Sequence, residues 1–429
     1  MKRFLCALLA VLLLMGLAAC NQPAPPETTA AATESGEEIL AQRRDQAEAY
    51  MRQMATVLWR ASEDITYSNG SKSVDPLVDS LSNLTVIKAG RLYRGIPYTH
   101  AGSDTAALLE YAGEPDANGI YTVSGLSWQA LNGDYTNARI GNDCSSAVGL
   151  SWGILGNSLK RIAKTKNLTE NYGYLPVGEY MTDKEAHPYT VDVAMANGIH
   201  IMSKAYAQLQ KADGVVKRNA TDTNGHTMMI VTNEVVYGSN GDIDPIRSHV
   251  TVLEQTSGRI ENQQFKYNEE LGEDVYLVYI IDKKYTYNDL FASGYLPITC
   301  KELIDPAPVE APGVSDTESQ PALENLFKGR LTANRFISAV SVTISDADGA
   351  VVQKCSASPV SRYEPYIFDM ECFSTELPEV LRGSLDLEAL SSGSYHCTVH
   401  CRLITGEPVM GSGAPGRRSS YSDSIDWSL

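Results

Sequence analysis

Apolar residues at Ala47, Tyr50, Met51, Met54, Leu58 and Ala61 recur at intervals of three and four, the spacing of one helix face, and predict a helix over 37–62. Further helical patterns fall at 144–155 and 193–211, between short β-rich runs at 215–217, 226–237, 249–256 and 275–281. Residues 37–305 therefore read as one α+β domain. Beyond Asp305 the periodicity stops in a stretch carrying Pro306, Pro308, Pro312 and Pro321, which predicts a linker over 306–322. Alternating runs at 339–344, 350–352, 366–368 and 395–403, separated by the turn signals Asp348-Gly349 and Ser392-Gly393, then predict a small β-sandwich of Ig-like type over 323–429.

The start of the chain has a different pattern. Lys2-Arg3 precedes an apolar run from Phe4 to Ala19 that is shorter than the ~20 residues needed to cross a bilayer, so residues 1–19 read as a signal peptide. Leu17-Ala18-Ala19-Cys20 resembles a bacterial lipoprotein box, which implies a lipid on Cys20 and a membrane partner for that lipid. Residues 20–36, rich in Pro, Thr and Ala, then serve as anchor and flexible tether. The expected location is a bacterial membrane, with the body of the protein exported and facing the cell envelope.

With 43% hydrophobic and 20% charged residues among 429, the chain is neither disordered throughout nor a multi-span membrane protein. A formal charge of −17 repels phosphate backbones, so no nucleic-acid partner is expected. No Gly-rich loop ends in Lys-Ser or Lys-Thr, and no Gly-x-Ser-x-Gly elbow occurs. Neither a cofactor nor a metal is expected. Cys355, Cys372, Cys397 and Cys401 fall in the predicted sandwich, where an exported location permits disulfides. In an extended segment Cys397 and Cys401 lie ~13 Å apart, so they should pair outward, to Cys355 and Cys372. In the same segment His396 and His400 point to one face of the strand and the two cysteines to the other, which argues against a metal site. Cys300 reads as a small buried hydrophobe.

Cys144 is the exception. It stands in Gly141-Asn142-Asp143-Cys144-Ser145-Ser146, with Asp143 as a helix N-cap and the cysteine in the first turn. A helix start suits a cysteine nucleophile, because the macrodipole stabilises negative charge and free backbone N–H groups can hold an oxyanion. A base is required, and His226 has the best context among the seven histidines, opening the apolar run Thr227-Met228-Met229-Ile230-Val231. His249, at the start of the next strand, is its rival. Centring a hairpin on the turn signal at Asn240 sets Glu254 opposite His226, where a carboxylate would orient the imidazole; a one-residue slip brings Gln255 instead.

The order Cys144, His226 and then a polar residue at 254 or 255 resembles the papain-like cysteine peptidases of bacterial cell walls, the NlpC-type group most closely and the CHAP amidases next. Gly95-Ile96-Pro97-Tyr98, Asp143-Cys144-Ser145-Ser146 and Asp213-Gly214-Val215-Val216 before Gly225-His226 carry the similarity, in patches over about 90–282. It implies a papain-like fold for 37–305 and peptidoglycan stem peptides as the partner. Cleavage of an amide would then run through a thioester on Cys144, with Tyr98, Asp143 and Ser145 beside the substrate. The chain departs from the family in having Ser145-Ser146 for the usual Ser-Gly, Asp-Gly for Gly-Asp, and long insertions between the motifs. Two other readings use the same residues: a wall-binding or adhesive lipoprotein that has lost catalysis, and a thiol acyltransferase.

Overall fold

The computed structural model describes residues 35–68, 84–99, 101–125, 127–129, 136–138, 140–162, 165, 168, 170–182, 187, 189–218, 225–256, 265–316, 330–357, 364–369, 390–405 and 420–428. The signal segment and Cys20 lie outside these residues.

Helix α1 (Gly36–Thr56) begins at a capping box, in which the Ser35 hydroxyl accepts from the Glu38 N–H and the Glu38 carboxylate accepts from the Ser35 N–H. Ala47, Tyr50, Met51 and Met54 form its buried face, as their spacing predicts. The helix stops short of the expected residue 62. Val57 turns extended, and Leu58–Ala61 becomes a strand between Leu92–Arg94 and Tyr121–Val123. Two more strands, Phe265–Asn268 and Glu273–Leu277, complete that five-stranded sheet. The run expected as one strand over 275–281 is therefore split: Glu273–Leu277 joins this sheet, and the chain re-enters another at Tyr279.

That second sheet is the centre of the molecule. Its six strands are β1 (Tyr174–Pro176), β2 (Gly214–Lys217), β3 (His226–Glu234), β4 (His249–Gln255), β5 (Tyr279–Thr286) and β6 (Leu296–Cys300), in the order β5-β4-β3-β2-β6-β1, every neighbouring pair antiparallel. Helix α2 (Cys144–Gly153) is buried along its whole length. Its Trp152 stands 5.8 Å from the ring of Tyr174 and donates its indole N–H to the Ala212 carbonyl at 2.7 Å. Helix α3 (Thr190–Tyr206) overlaps the helical stretch expected at 193–211 and is interrupted at Gly198, whose φ is 78°. Asp213, immediately before β2, is buried and ties three elements together: it accepts from Arg44 of α1 at 2.9 Å, from Thr299 of β6 at 2.6 Å and from the Gln210 N–H at 2.8 Å.

Two antiparallel sheets follow, one of Val314–Asp316, Arg330–Ala333 and Ile367–Asp369, the other ordered Val351–Ala357, Ile337–Asp346, Ser394–Leu403, Ser420–Ser428. Leu331 and Phe368 of the first share a core with Val340, Val342, Val399 and Leu403 of the second. The expected linker is partly structured, since Val314–Asp316 pairs with Arg330–Ala333. This C-terminal unit seats directly on the end of α2. Phe336 and Ile404 join the main core, and a Cβ on Gly153 would lie 2.5 Å from the Phe336 ring. Ser338 donates to Asp104 at 2.9 Å and Arg402 pairs with Glu110 at 2.9 Å.

The described residues bear on one half of the disulfide expectation, the pairing of Cys355 with Cys397 or Cys401. Cys355, Cys397 and Cys401 are buried, Cys397 and Cys401 carry no bridge, and Cys372 lies outside the described residues. Cys355 sits opposite Val342 on one side of the strand Ile337–Asp346, whereas Cys397 and Cys401 sit opposite Ile344 and Val340 on its other side. Two strand spacings amount to ~9.6 Å, beyond the ~7 Å Cα limit of a bridge. Burial pushes the thiols of Cys397 and Cys401 up to about 12. His396 and His400 alternate with these buried cysteines and are half-buried on the other face of the strand.

Candidate functional site

Cys144 is the first residue of α2 and Asp143 is its N-cap. The Asp143 carboxylate accepts from the Ser146 N–H at 2.7 Å, and the Ser146 hydroxyl accepts from the Asp143 N–H at 2.7 Å. Ser145 donates to the same carboxylate at 2.8 Å, and all three side chains are buried. The side chains of Asp143 and Ser145, expected beside the substrate, thus take part in the cap. Through the cap they fix the direction in which Cys144 leaves the helix.

The loop before the cap is held just as tightly. Gly141 has φ 128°, and a Cβ there would lie 2.5 Å from both the Pro97 carbonyl and the Thr99 hydroxyl, so the position requires glycine. Asn142 donates its N–H to the Pro97 carbonyl at 3.1 Å and accepts from the Tyr279 hydroxyl at 2.9 Å. Tyr98 forms an isolated parallel bridge with Asn142, which brings it next to the nucleophile loop; its ring packs half-buried on the core. Gln255 lies on the other side of this segment, its amide donating to the carbonyls of Ile96 and Pro97 at 3.1 Å each.

The base comes from the central sheet. His226 opens β3, and Nε2 lies 2.6 Å from Oε2 of Glu254 on β4. Cys144 is the leading influence raising the charge of the same ring, and with Nε2 taken by Glu254 the nitrogen left to face the thiol is Nδ1. The structure therefore brings Cys144, His226 and Glu254 together and gives Gln255 a different task. The register that joins them is not the one expected. Met229 pairs with Leu253 and Ile230 with Val252, and a bulge follows before Thr232. Continuing this pairing sets Glu254 opposite Met228, so it reaches His226 along the diagonal on the same face of the sheet. The connection between the strands, held by bonds such as Asp244 N–H to Val236 carbonyl and Ser248 hydroxyl to Val236 carbonyl, is no tight hairpin and shifts the register away from Asn240.

Electrostatics favour charge on His226 and Glu254. Burial works against a charged His226, but Cys144 first and Glu254 second outweigh it and raise the imidazole to about 9. Burial would likewise raise the Glu254 carboxyl; His226, then Lys283 and Tyr285, hold it below the usual carboxylate range. The Tyr285 hydroxyl donates to Glu254 Oε1 at 3.1 Å, and Lys283 Nζ lies 3.6 Å from that oxygen. Tyr295 stands edge-on to His226 at 6.5 Å, with Lys217 Nζ 5.3 Å from the centre of its ring. Sequence reasoning missed Lys283, Tyr285 and Asn142. The first two enter through the pairing of β4 with β5, which no local pattern announces. Asn142 was legible as an Asx residue beside the candidate cysteine.

The other histidines stay apart. His249 begins β4, at the end opposite Glu254, and lies 3.4 Å from Glu234. His200 is exposed and His187 half-buried, while His100 lies outside the described residues. Gly225 explains why His226 follows a glycine: a Cβ there would lie 1.8 Å from the Thr165 hydroxyl. Among the described residues no group of three or more His, Cys, Asp or Glu is placed to hold a metal ion. No family model matches this chain, and no curated protein matches it either.

Proposed function

We propose that this protein is a papain-like cysteine peptidase or amidase of the NlpC type, anchored in a bacterial membrane through Cys20, that cleaves an amide bond in peptidoglycan stem peptides. The observation that carries the reading is the grouping of buried Cys144 and Glu254 about a half-buried His226, with its 2.6 Å imidazole–carboxylate bond and a nucleophile at a capped helix start. A structural cysteine has no use for a histidine whose other nitrogen is held by a buried carboxylate. The appended two-sheet unit and the exported location suit an enzyme that works on the wall within reach of its tether.

In this mechanism Cys144 Sγ attacks the scissile carbonyl carbon while His226 holds the proton taken from the thiol. The oxyanion faces the N–H of Cys144 at the start of α2, a position whose N–H has no acceptor one turn back in the helix. Collapse of the tetrahedral intermediate breaks the C–N bond. His226 delivers its proton to the departing amine, leaving a thioester on Cys144. Water then gives a proton to His226, adds to the thioester and releases the carboxylic acid and the thiol. Glu254 stabilises the imidazolium and fixes the ring, and Gln255 holds the Gly95–Tyr98 segment against the nucleophile loop.

The test is rapid-quench mass spectrometry of the enzyme with a purified stem peptide, with and without an added amine acceptor. An acyl mass on the Cys144 peptide that decays to free acid supports hydrolysis. A thioester that partitions to the amine product supports a transferase. No adduct on Cys144 at any time refutes the covalent mechanism.

A further inference from the structure

A second site lies along the strand that neighbours His226. Lys217 of β2 pairs with His226, and the next residue, Arg218, lines a cavity of about 260 Å³ together with Val216. Arg218 is only 8% exposed. Its backbone is fixed at the start of α3, its N–H donating to the Thr190 hydroxyl at 3.0 Å and its carbonyl accepting from the Thr190 N–H at 3.2 Å. No hydrogen-bond acceptor or carboxylate reaches its guanidinium among the described residues, and besides burial, which lowers its pKa, only Tyr180 influences its charge.

The cavity around it is apolar on its walls, with Leu168, Val216, Leu296 and Ile298, and polar at the exposed Glu170 and Asn171. The two tyrosine hydroxyls in its lining are used elsewhere: Tyr180 donates to the Pro297 carbonyl at 2.9 Å and Tyr174 to the Arg161 carbonyl at 3.2 Å. Among the described residues Arg218 is thus the one cationic side chain lining the cavity. A buried charge without a partner is costly, and an arriving anion relieves that cost. The planar fork of a guanidinium matches a carboxylate in two parallel hydrogen bonds. One guanidinium balances one negative charge, and Glu170 at the lining disfavours a doubly charged phosphate. The volume falls below the ~300–1,000 Å³ of sites for drug-sized ligands and suits a single residue.

We propose that Arg218 anchors a subsite for the C-terminal carboxylate of a peptide, whose last side chain packs on Leu168, Val216 and Leu296. The subsite stands on Arg218 and its cavity, so it is read by binding and does not depend on catalysis at Cys144. The probes are acetyl-alanyl-alanine, its C-terminal amide and acetyl-alanyl-glutamate amide, titrated by calorimetry into the full-length protein and into Arg218→Gln. The terminal carboxylate is expected to bind at least tenfold more tightly than the amide, and Arg218→Gln to abolish the difference while the amide's affinity stays unchanged. Equal or tighter binding of the glutamate side-chain carboxylate would overturn the terminal assignment. Equal affinity of acid and amide for the wild type, or a preference that survives in folded Arg218→Gln, would overturn the subsite itself. Should Arg218→Gln fail to fold, the arginine Nε–H resonances of the wild type decide. The Arg218 signal shifts on addition of the free acid and not of the amide if the proposal holds, and stays still with both if it does not.

Discussion

Replacing Glu254 by glutamine preserves the shape of a side chain that is 3% exposed and removes its charge from a point 2.6 Å from His226. The rise of His226 from 6.5 to about 9 corresponds to about 3 kcal/mol in favour of the imidazolium, at about 1.4 kcal/mol per pH unit. Cys144 supplies the larger part of this rise and Glu254 the smaller, so Glu254→Gln should lower the His226 pKa by about one pH unit. The same loss destabilises the imidazolium facing the thiol by about 1.4 kcal/mol, and alkylation of Cys144 by iodoacetamide at pH 6.5 should slow about tenfold. Stability carries a second signature. The Glu254 carboxyl is held below its unfolded value of 4.5, so its contribution is present above that pH and is lost as pH falls through the depressed native value. Glu254→Gln should remove that part of the acid dependence. The assay is an NMR titration of the His226 ring beside urea melts from pH 3 to 7. An unchanged His226 titration in the folded variant would refute the coupling.

Four further outcomes follow from the same geometry. Cys144→Ala removes the larger cause of the rise and should lower the His226 pKa further than Glu254→Gln does, measured by the same titration. Gln255→Leu strips the donor from the buried carbonyls of Ile96 and Pro97 and should cost about 1 to 3 kcal/mol in urea melts, with the His226 titration unmoved. Gly141→Ala forces a Cβ to 2.5 Å from the Pro97 carbonyl at φ 128° and should cost about 2 to 3 kcal/mol while displacing the loop before Cys144, read as lost thiol reactivity. Phe336→Ala empties the seat over Gly153 and should lower stability by about 3 to 5 kcal/mol, read as a lower thermal midpoint.

What could be read in the sequence was local. The periodicity of α1, the cap at Asp143, the apolar strand after His226 and the acidic residue on the next strand are each encoded within a few positions of the residues concerned. Pairing between distant segments was not. Leu58–Ala61 continues the helical spacing of α1 but is drawn into a sheet by Leu92–Arg94 and Tyr121–Val123. The split at Val278 depends on two sheets competing for one run of residues. Glu254 reaches His226 even though the hairpin register was misjudged, because a shift of two residues preserves the face of the strand and a diagonal neighbour remains within reach. Gln255, one residue on, points to the opposite face and meets Ile96 and Pro97. The separation of Cys355 from Cys397 and Cys401 reflects strand order, which no cysteine spacing encodes.

The central claim is that Cys144, His226 and Glu254 act together on an amide of the cell wall. Its most direct test is incubation of the purified protein and of Cys144→Ala with intact peptidoglycan under mild reducing conditions, with released fragments identified by mass spectrometry. New amine and carboxylate termini at one peptide bond with the wild type, and none with Cys144→Ala, are predicted. Fragments released equally by both proteins, or by neither while Cys144 of the folded wild type resists alkylation, would contradict the claim.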